Sequence, residues 1–190
     1  MVGAGRGDVE AEGLAKLTQQ CRPYCRETIM IAPSAREAPF AFGAVVGLGA
    51  STEAELTLLE RSRAYLAAIE QSTDADSPAP EGALAFYHPD VRQEELPNRL
   101  VPTGAVRDLA ALREAASRGR GVLRAQRYAV RSALVQGTRV ALETLWIGEL
   151  AVPIGALPAG AEMRAHFAMF LDFDGEQIHA QRNYDCFEPF

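Results

Sequence analysis

Polar side chains recur at every second residue near the end of the chain. Asp174-Gly175 predicts a tight hairpin turn, because Gly accepts a positive φ at little cost. With Phe173 paired to Glu176, strand alternation places five polar residues on one face: Arg164, His166, Gln181, Asn183 and Asp185. In this register His166 lies opposite Asn183, and it is the one group of the set that titrates near neutral pH.

This polar face has two interpretations. Complementary polar groups on one side of a curved sheet are typical of a ligand pocket, in which His166 could serve as an acid or a base. Alternatively the face is solvated, and the side with Phe167, Met169 and Leu171 is the core. A β-bulge near the turn would exchange the two faces.

Most other catalytic and metal-binding patterns are missing from the sequence. It has no Gly-rich phosphate loop, no G-x-S-x-G turn and no H-E-x-x-H helix. His179 lies several residues from His166 along the sheet, and His88 is expected to be structural, so we predict no metal site. Cys186 has no evident base beside it and is expected to be free and buried. No cofactor is implied.

The net charge and the length of the apolar runs limit the classes of partner that we expect. The net charge is −6 and the arginines are scattered among acids, which disfavours binding to nucleic acid or to an anionic membrane. No apolar run reaches the roughly 18 residues that a membrane span requires. The three cysteines have no framework spacing, which favours a reducing compartment. We therefore expect a cytoplasmic protein.

The pattern of elements predicts an α+β fold. A cap at Ser51-Thr52 begins a long helix to about residue 71; a short helix at 82–87, a short strand at 91–95 and a second long helix at about 106–121 follow. Four long strands then run through 122–135, 139–150, 162–173 and 177–187. Helices followed by a strand meander predict helices on one face of a bent antiparallel sheet.

Residues 1–50 differ from the rest in having scattered Gly and Pro and no sustained period, apart from a possible helix at 10–20. We interpret them as a disordered or loosely docked tail and residues 51–190 as the domain.

Three motifs in this order resemble the SnoaL-like and ketosteroid isomerase-like families of the nuclear transport factor 2 superfamily. They are the first-helix segment around Tyr65, the stretch Tyr87-His88-Pro89-Asp90-Val91, and the closing hairpin from Asp174-Gly175 to Asp185. The resemblance implies a cone of about three helices and a curved antiparallel sheet around a small-molecule pocket, and it implies a homodimer. It does not imply one reaction, because the fold hosts isomerases, cyclases, hydrolases and binding modules.

The isomerase resemblance implies a set of site residues. Glu95 matches the position of the general base, and Gln93 shares its face by alternation. Tyr65 matches the oxyanion-hole tyrosine, although an aromatic residue here equally suits helix packing. The second oxyanion donor, an acid on a late strand, is replaced by the apolar stretch 167–170, which puts steroid isomerisation in doubt.

The limonene-epoxide hydrolases are similar relatives with a different catalytic set. Their Arg and two Asp correspond here to Thr144, Trp146 and Asn183, which cannot act as an acid–base triad. Trp146 is expected to form a pocket wall or core surface. Epoxide hydrolysis is therefore disfavoured.

Three hypotheses remain. The first is an isomerase- or cyclase-type enzyme in which Glu95 removes a proton from a small apolar carbonyl compound, while Tyr65, His166 or Asn183 holds the oxyanion. The second is a non-catalytic module that binds a small molecule or dimerises. The third is an accessory subunit of a larger enzyme.

Overall fold

A computed structural model describes residues 52–72 and 81–190. The predicted tail, its possible helix at 10–20, and both Cys21 and Cys25 lie outside these residues. No helix within the described ranges is long and apolar enough to cross a membrane.

The described chain forms three helices and six strands. The helices are α1 (Glu53–Gln71), α2 (Glu81–Leu84) and α3 (Leu109–Gly119). The strands are β1 (Tyr87–Glu95), β2 (Ala105–Arg107), β3 (Leu123–Gln136), β4 (Arg139–Leu150), β5 (Glu162–Asp174) and β6 (Gln177–Phe187).

Helix α1 begins directly after Thr52, within the Ser51-Thr52 cap that the sequence predicts, and Thr52 forms a capping box with Glu55. The Thr52 hydroxyl accepts from the Glu55 amide at 3.2 Å, and the Glu55 carboxylate accepts from the Thr52 amide at 2.9 Å. These bonds satisfy donors that the first turn of a helix leaves unpaired. The other Glu55 oxygen accepts from the Gly137 amide at 2.9 Å, which fixes the helix start to the β3–β4 turn.

The strands form one curved sheet in the order β2-β1-β6-β5-β4-β3. The α+β cone is therefore confirmed, with one correction, because β1 and β6 run parallel and the sheet is mixed rather than antiparallel. Strand β2 falls where the sequence predicts the start of the second long helix. That helix begins later because Asp108 caps it, accepting from the Ala111 amide at 2.8 Å.

The predicted register of the last hairpin is wrong. Asp174 pairs with Gln177, and a bulge at His179 shifts the pairing so that Asp172 faces Ala180. Beyond the bulge Asn183 therefore lies opposite Met169, not opposite His166. The extra residue exchanges the faces of one strand relative to the other.

One face of this sheet is the interior of the cone. On β5 it carries Met163, Ala165, Phe167, Met169, Leu171 and Phe173, all buried. Cross-strand pairing places Gln181, Asn183 and Asp185 of β6 on the same side. The interior face therefore carries residues from both of the predicted faces. The polar residues of β6 come from the predicted polar face, and the apolar residues of β5 come from the predicted apolar face.

Candidate functional site

A cavity of about 930 Å³ lies inside the cone. Residues of α1, α2, α3 and the interior face of the sheet line it, among them Tyr65, Leu84, Tyr87, Glu95, Arg107, Leu112, Ala116, Arg120 and Tyr128. A volume of this size is sufficient for a drug-sized molecule, and most of the lining is apolar.

An ion pair occupies one side of the cavity, where β1 meets β2. Arg107 Nη1 donates to Glu95 Oε2 at 2.8 Å and to Gln93 Oε1 at 2.9 Å. The Glu95 and Arg107 side chains are 16% and 19% exposed, so little solvent screens them. Asn98 Nδ2 donates to the second Glu95 oxygen at 2.8 Å, which leaves both oxygens of this carboxylate engaged.

Gly104 sets the backbone beside this ion pair. Its φ is +67°, and an added Cβ would lie 2.7 Å from the Glu95 carbonyl oxygen. We expect Gly104→Ala to lower the free energy of unfolding by about 3 kcal/mol, from the left-handed φ and the clash together. Gly137→Ala is the matched control, because Gly137 has φ +58° with nothing within 4 Å. Gly137→Ala should lower the free energy of unfolding by about 1 kcal/mol, with both variants measured by urea titration. Equal losses in the two variants would contradict the claim that the close approach of Gly104 to the Glu95 carbonyl matters.

Two tyrosines and two amides form a buried chain of hydrogen bonds. The Tyr65 and Tyr87 hydroxyl oxygens are 2.5 Å apart, and Tyr87 donates to Gln181 Oε1 at 2.7 Å. Gln181 Nε2 donates to Asn183 Oδ1 at 2.9 Å. The Tyr65 hydroxyl also lies 3.1 Å from the same Gln181 oxygen, so its single proton is donated within this cluster, to Tyr87 or to Gln181. Burial raises the pKa of both phenols, which keeps these protons in place.

Asp185 carries the carboxyl group with the most unusual surroundings. It lies two residues after Asn183, which pairs with Glu95 of β1, and on the same interior face. Asp185 is not itself one of the residues that line the cavity, but Glu95 and Tyr128, which interact with it electrostatically, both line it. Its Oδ1 atom is buried and has no hydrogen-bond partner among the described residues. Burial, and then the nearby Glu95 charge, raise the pKa of Asp185 to about 7, while Arg107 acts in the opposite direction.

Tyr128 of β3 lines the cavity near Asp185, with which it interacts electrostatically. Within the described ranges its hydroxyl forms no hydrogen bond, in contrast to those of Tyr65 and Tyr87. Burial is the first cause that raises the Tyr128 pKa, so the phenol stays protonated. It is a donor available to a molecule in the cavity.

Trp146 and Thr144 of β4 are buried on the interior face. Trp146 stacks on Phe167 with centroids 5.7 Å apart and donates from Nε1 to Gln126 at 3.0 Å. Neither residue is part of the cavity lining, so both support the wall from behind. Thr144 Oγ1, like Asp185 Oδ1, is buried and unpaired in the described part of the chain.

Arg164 and His166 point away from the cavity, contrary to the predicted arrangement. His166 Nε2 lies 3.4 Å from Glu188, and Arg164 lies 3.1 Å from Glu162, in exposed pairs. The His179 bulge is the reason, because it brings the odd-numbered residues of β5 to the face shared with Asn183. Cys186 is also exposed rather than buried, and it is free.

Sequence reasoning missed Arg107, Tyr87 and Tyr128. Arg107 was assigned to a helix, although Val106 and Arg107 precede the capping residue Asp108 and so have a strand-like position before the helix start. Tyr128 lies in a 14-residue strand with a bulge between Val130 and Ser132, so simple alternation could not give its face.

The sequence comparison identifies one domain. Residues 63–181 match the model of the SnoaL-like domain. No curated protein matches this chain.

Solved structures share the fold at low sequence identity. AclR, a candidate hydroxylase from Streptomyces galilaeus, is 15% identical with a TM-score of 0.57, over 71% of this chain and 82% of its own. A candidate SnoaL-like polyketide cyclase from Jannaschia is 12% identical with a TM-score of 0.56, over 72% and 90%. A nuclear transport factor 2-like protein from Anabaena variabilis is 14% identical with a TM-score of 0.55, over 75% and 97%. At these identities the likeness concerns the fold.

Proposed function

Because this chain belongs to the SnoaL-like domain family, a cyclase- and isomerase-type fold, we propose that it is an acid–base enzyme acting on a small apolar carbonyl compound. The observation that carries the proposal is Asp185, a carboxyl group with a buried, unpaired oxygen beside the Glu95–Arg107 pair. A carboxylate that titrates near pH 7 is a much stronger base than an ordinary aspartate, and still ionised enough to act.

The proposed reaction needs only proton transfers. Asp185 removes a proton from the carbon next to the carbonyl group, and the electron pair of that C–H bond moves to form an enolate. Tyr128 donates a hydrogen bond to the enolate oxygen, which stabilises the developing charge. Where a C=C bond is conjugated with the enolate, return of the proton from Asp185 to the far carbon of that bond completes an isomerisation. Attack of the enolate carbon on a second carbonyl of the same molecule instead forms a C–C bond and an alkoxide, and Asp185 returns its proton to the alkoxide to complete an aldol ring closure.

The site differs from the one that the family resemblance implies. Both Glu95 oxygens already accept a hydrogen bond, one from Arg107 and one from Asn98, whereas Asp185 Oδ1 has no partner among the described residues. We assign Glu95 a supporting part, since its charge contributes to the raised pKa of Asp185. Tyr65 donates inside the buried chain, and Tyr128 takes the oxyanion role in its place.

A non-catalytic binding module is the second candidate. The engagement of Glu95 and of both buried tyrosines favours it, because these groups are satisfied without a ligand. In that case the cavity would bind the same class of molecule and return it unchanged.

Proton exchange into a simple ketone separates the two candidates. The probe is 2-tetralone, an apolar bicyclic ketone, incubated in D2O with the folded protein and with the same protein after heat unfolding. We expect the folded protein to accelerate deuterium uptake next to the carbonyl, measured by mass spectrometry. Equal uptake with folded and unfolded protein would favour the binding module.

A further inference from the structure

One wall of the cavity is a helix with small side chains. Four α3 residues line it at the spacing of one helical face, namely Leu112, Ala115, Ala116 and Gly119. Arg107 precedes this helix and Arg120 follows it, and both also line the cavity. Eleven residues of helix span about 16 Å, so the two arginines mark opposite ends of an elongated space.

The two ends of this space differ in exposure. Arg107 and Glu95 are mostly buried at one end. Arg120, Gly121 and Arg124 are exposed at the other end, which is therefore open to solvent. A molecule that enters from the open end passes the exposed arginines before it reaches Glu95 and Arg107.

Among the described residues, cations outnumber carboxylates in the lining of the cavity. These residues include Arg107, Arg120 and Arg124 but a single carboxylate, Glu95. Arg107 pairs with Glu95, and Arg124 pairs with Glu149 at 2.9 Å. Arg120 forms no ion pair within residues 52–72 and 81–190. Within the part of the chain that the structure describes, Arg120 is therefore a cation without an acidic partner at the open end of the cavity, in a protein of net charge −6.

We propose that the ligand is an elongated apolar anion. Its acidic group is a carboxylate or an ionised phenol, and Arg120 binds this group at the open end of the cavity. Its apolar body lies along α3, where the small side chains leave room, and its carbonyl reaches the Asp185 and Tyr128 end. The placement of that carbonyl rests on the proposed function; the placement of the anion does not. A guanidinium group is well suited to an anionic oxygen, because it offers a planar set of N–H donors.

Two fluorescent probes of the same shape test the anion site. 8-Anilinonaphthalene-1-sulfonate has an apolar body with one anionic group, and N-phenyl-1-naphthylamine has that body without the charge. We expect the sulfonate to bind the wild-type protein about tenfold more tightly than the neutral probe at low salt. Arg120→Gln should weaken the sulfonate about fivefold and leave the neutral probe unchanged.

Two further variants make the result specific. Arg113→Gln removes the same charge from the same helix at an exposed position outside the lining, and both affinities should stay at wild-type values. Ala116→Phe fills the cavity and should weaken both probes, with circular dichroism used to verify that α3 is intact.

Equal affinity of the two probes for the wild type, or a sulfonate affinity that Arg120→Gln or Ala116→Phe leaves at the wild-type value, would overturn the proposal. Neither probe has an enolisable carbonyl, so the outcome is independent of 2-tetralone exchange. If the protein shows no preference for the anionic probe but still accelerates 2-tetralone exchange, only the proposed anionic ligand class is refuted. If it prefers the anionic probe but does not accelerate exchange, the proposed catalysis is refuted and the anion site is retained.

Discussion

Asp185→Asn is expected to reduce 2-tetralone exchange at pH 8 by about 100-fold or more, because an amide cannot accept the proton and general-base catalysis is worth that much. The substitution keeps the size and shape of the side chain, so the cavity and the Glu95–Arg107 pair should be preserved. Affinity for N-phenyl-1-naphthylamine should therefore be unchanged.

The same variant should be more stable than the wild type at pH 8. The pKa of Asp185 is raised from 3.8 to about 7, so the native state keeps a proton that the unfolded chain loses. The wild type thus loses stability as pH rises from about 4 to 7 and remains less stable above pH 7. Allowing for partial solvation, we expect Asn to recover about 2 kcal/mol at pH 8 and almost nothing at pH 4.

Asp90→Asn is the matched control, since Asp90 is exposed on β1. It should alter neither exchange nor the pH dependence of the melting temperature. Two results would contradict the assignment of Asp185 as a buried base. One is that Asp185→Asn exchanges 2-tetralone at the wild-type rate. The other is that the stability difference between Asp185→Asn and wild type is no larger at pH 8 than at pH 4.

Removal of the Tyr128 hydroxyl is expected to have the second-largest effect. Tyr128→Phe should lower exchange about 100-fold, the typical loss for one oxyanion donor. Its stability should stay within about 0.5 kcal/mol of wild type, because no hydrogen bond among the described residues is broken.

Tyr65→Phe should show the opposite pattern. It removes a buried hydroxyl that lies 2.5 Å from the Tyr87 hydroxyl and 3.1 Å from Gln181 Oε1, which should cost about 1–2 kcal/mol of stability. The rate of 2-tetralone exchange by the folded Tyr65→Phe protein should change less than threefold. We expect this small change because Tyr65 is not proposed to contact the enolate oxygen. A larger loss of exchange in Tyr65→Phe than in Tyr128→Phe would return the oxyanion role to Tyr65.

Much of the fold could be predicted because its signals are local. The start of α1 needs only Thr52 and the acids that follow it, and the last hairpin needs only a turn at Gly175. The two residues of that turn are Gly175 and Glu176 rather than the predicted Asp174 and Gly175, because Asp174 pairs with Gln177. The parallel pairing of β1 with β6 could not be predicted in this way. It joins Glu95 to Asn183 across 88 positions of sequence, and no local pattern records that contact.

The site was predictable only in part, for a geometric reason. Gln93, Glu95 and Tyr65 follow from position in the fold, and they do lie inside the cone. Placing His166 depended on register, and the single extra residue at His179 moved it to the outer face. Asp185 was assigned to the correct face but not to a catalytic part, because its raised pKa arises from burial and from Glu95, which only the assembled sheet brings near.

The pH dependence of 2-tetralone exchange tests the central claim most directly. The rate above the unfolded-protein background should rise with pH through an apparent pKa of about 7 and then level off, because only the ionised form of Asp185 accepts a proton. This rise should be absent in Asp185→Asn. A midpoint near 4, or the same profile in wild type and Asp185→Asn, would contradict the claim that Asp185 is the base.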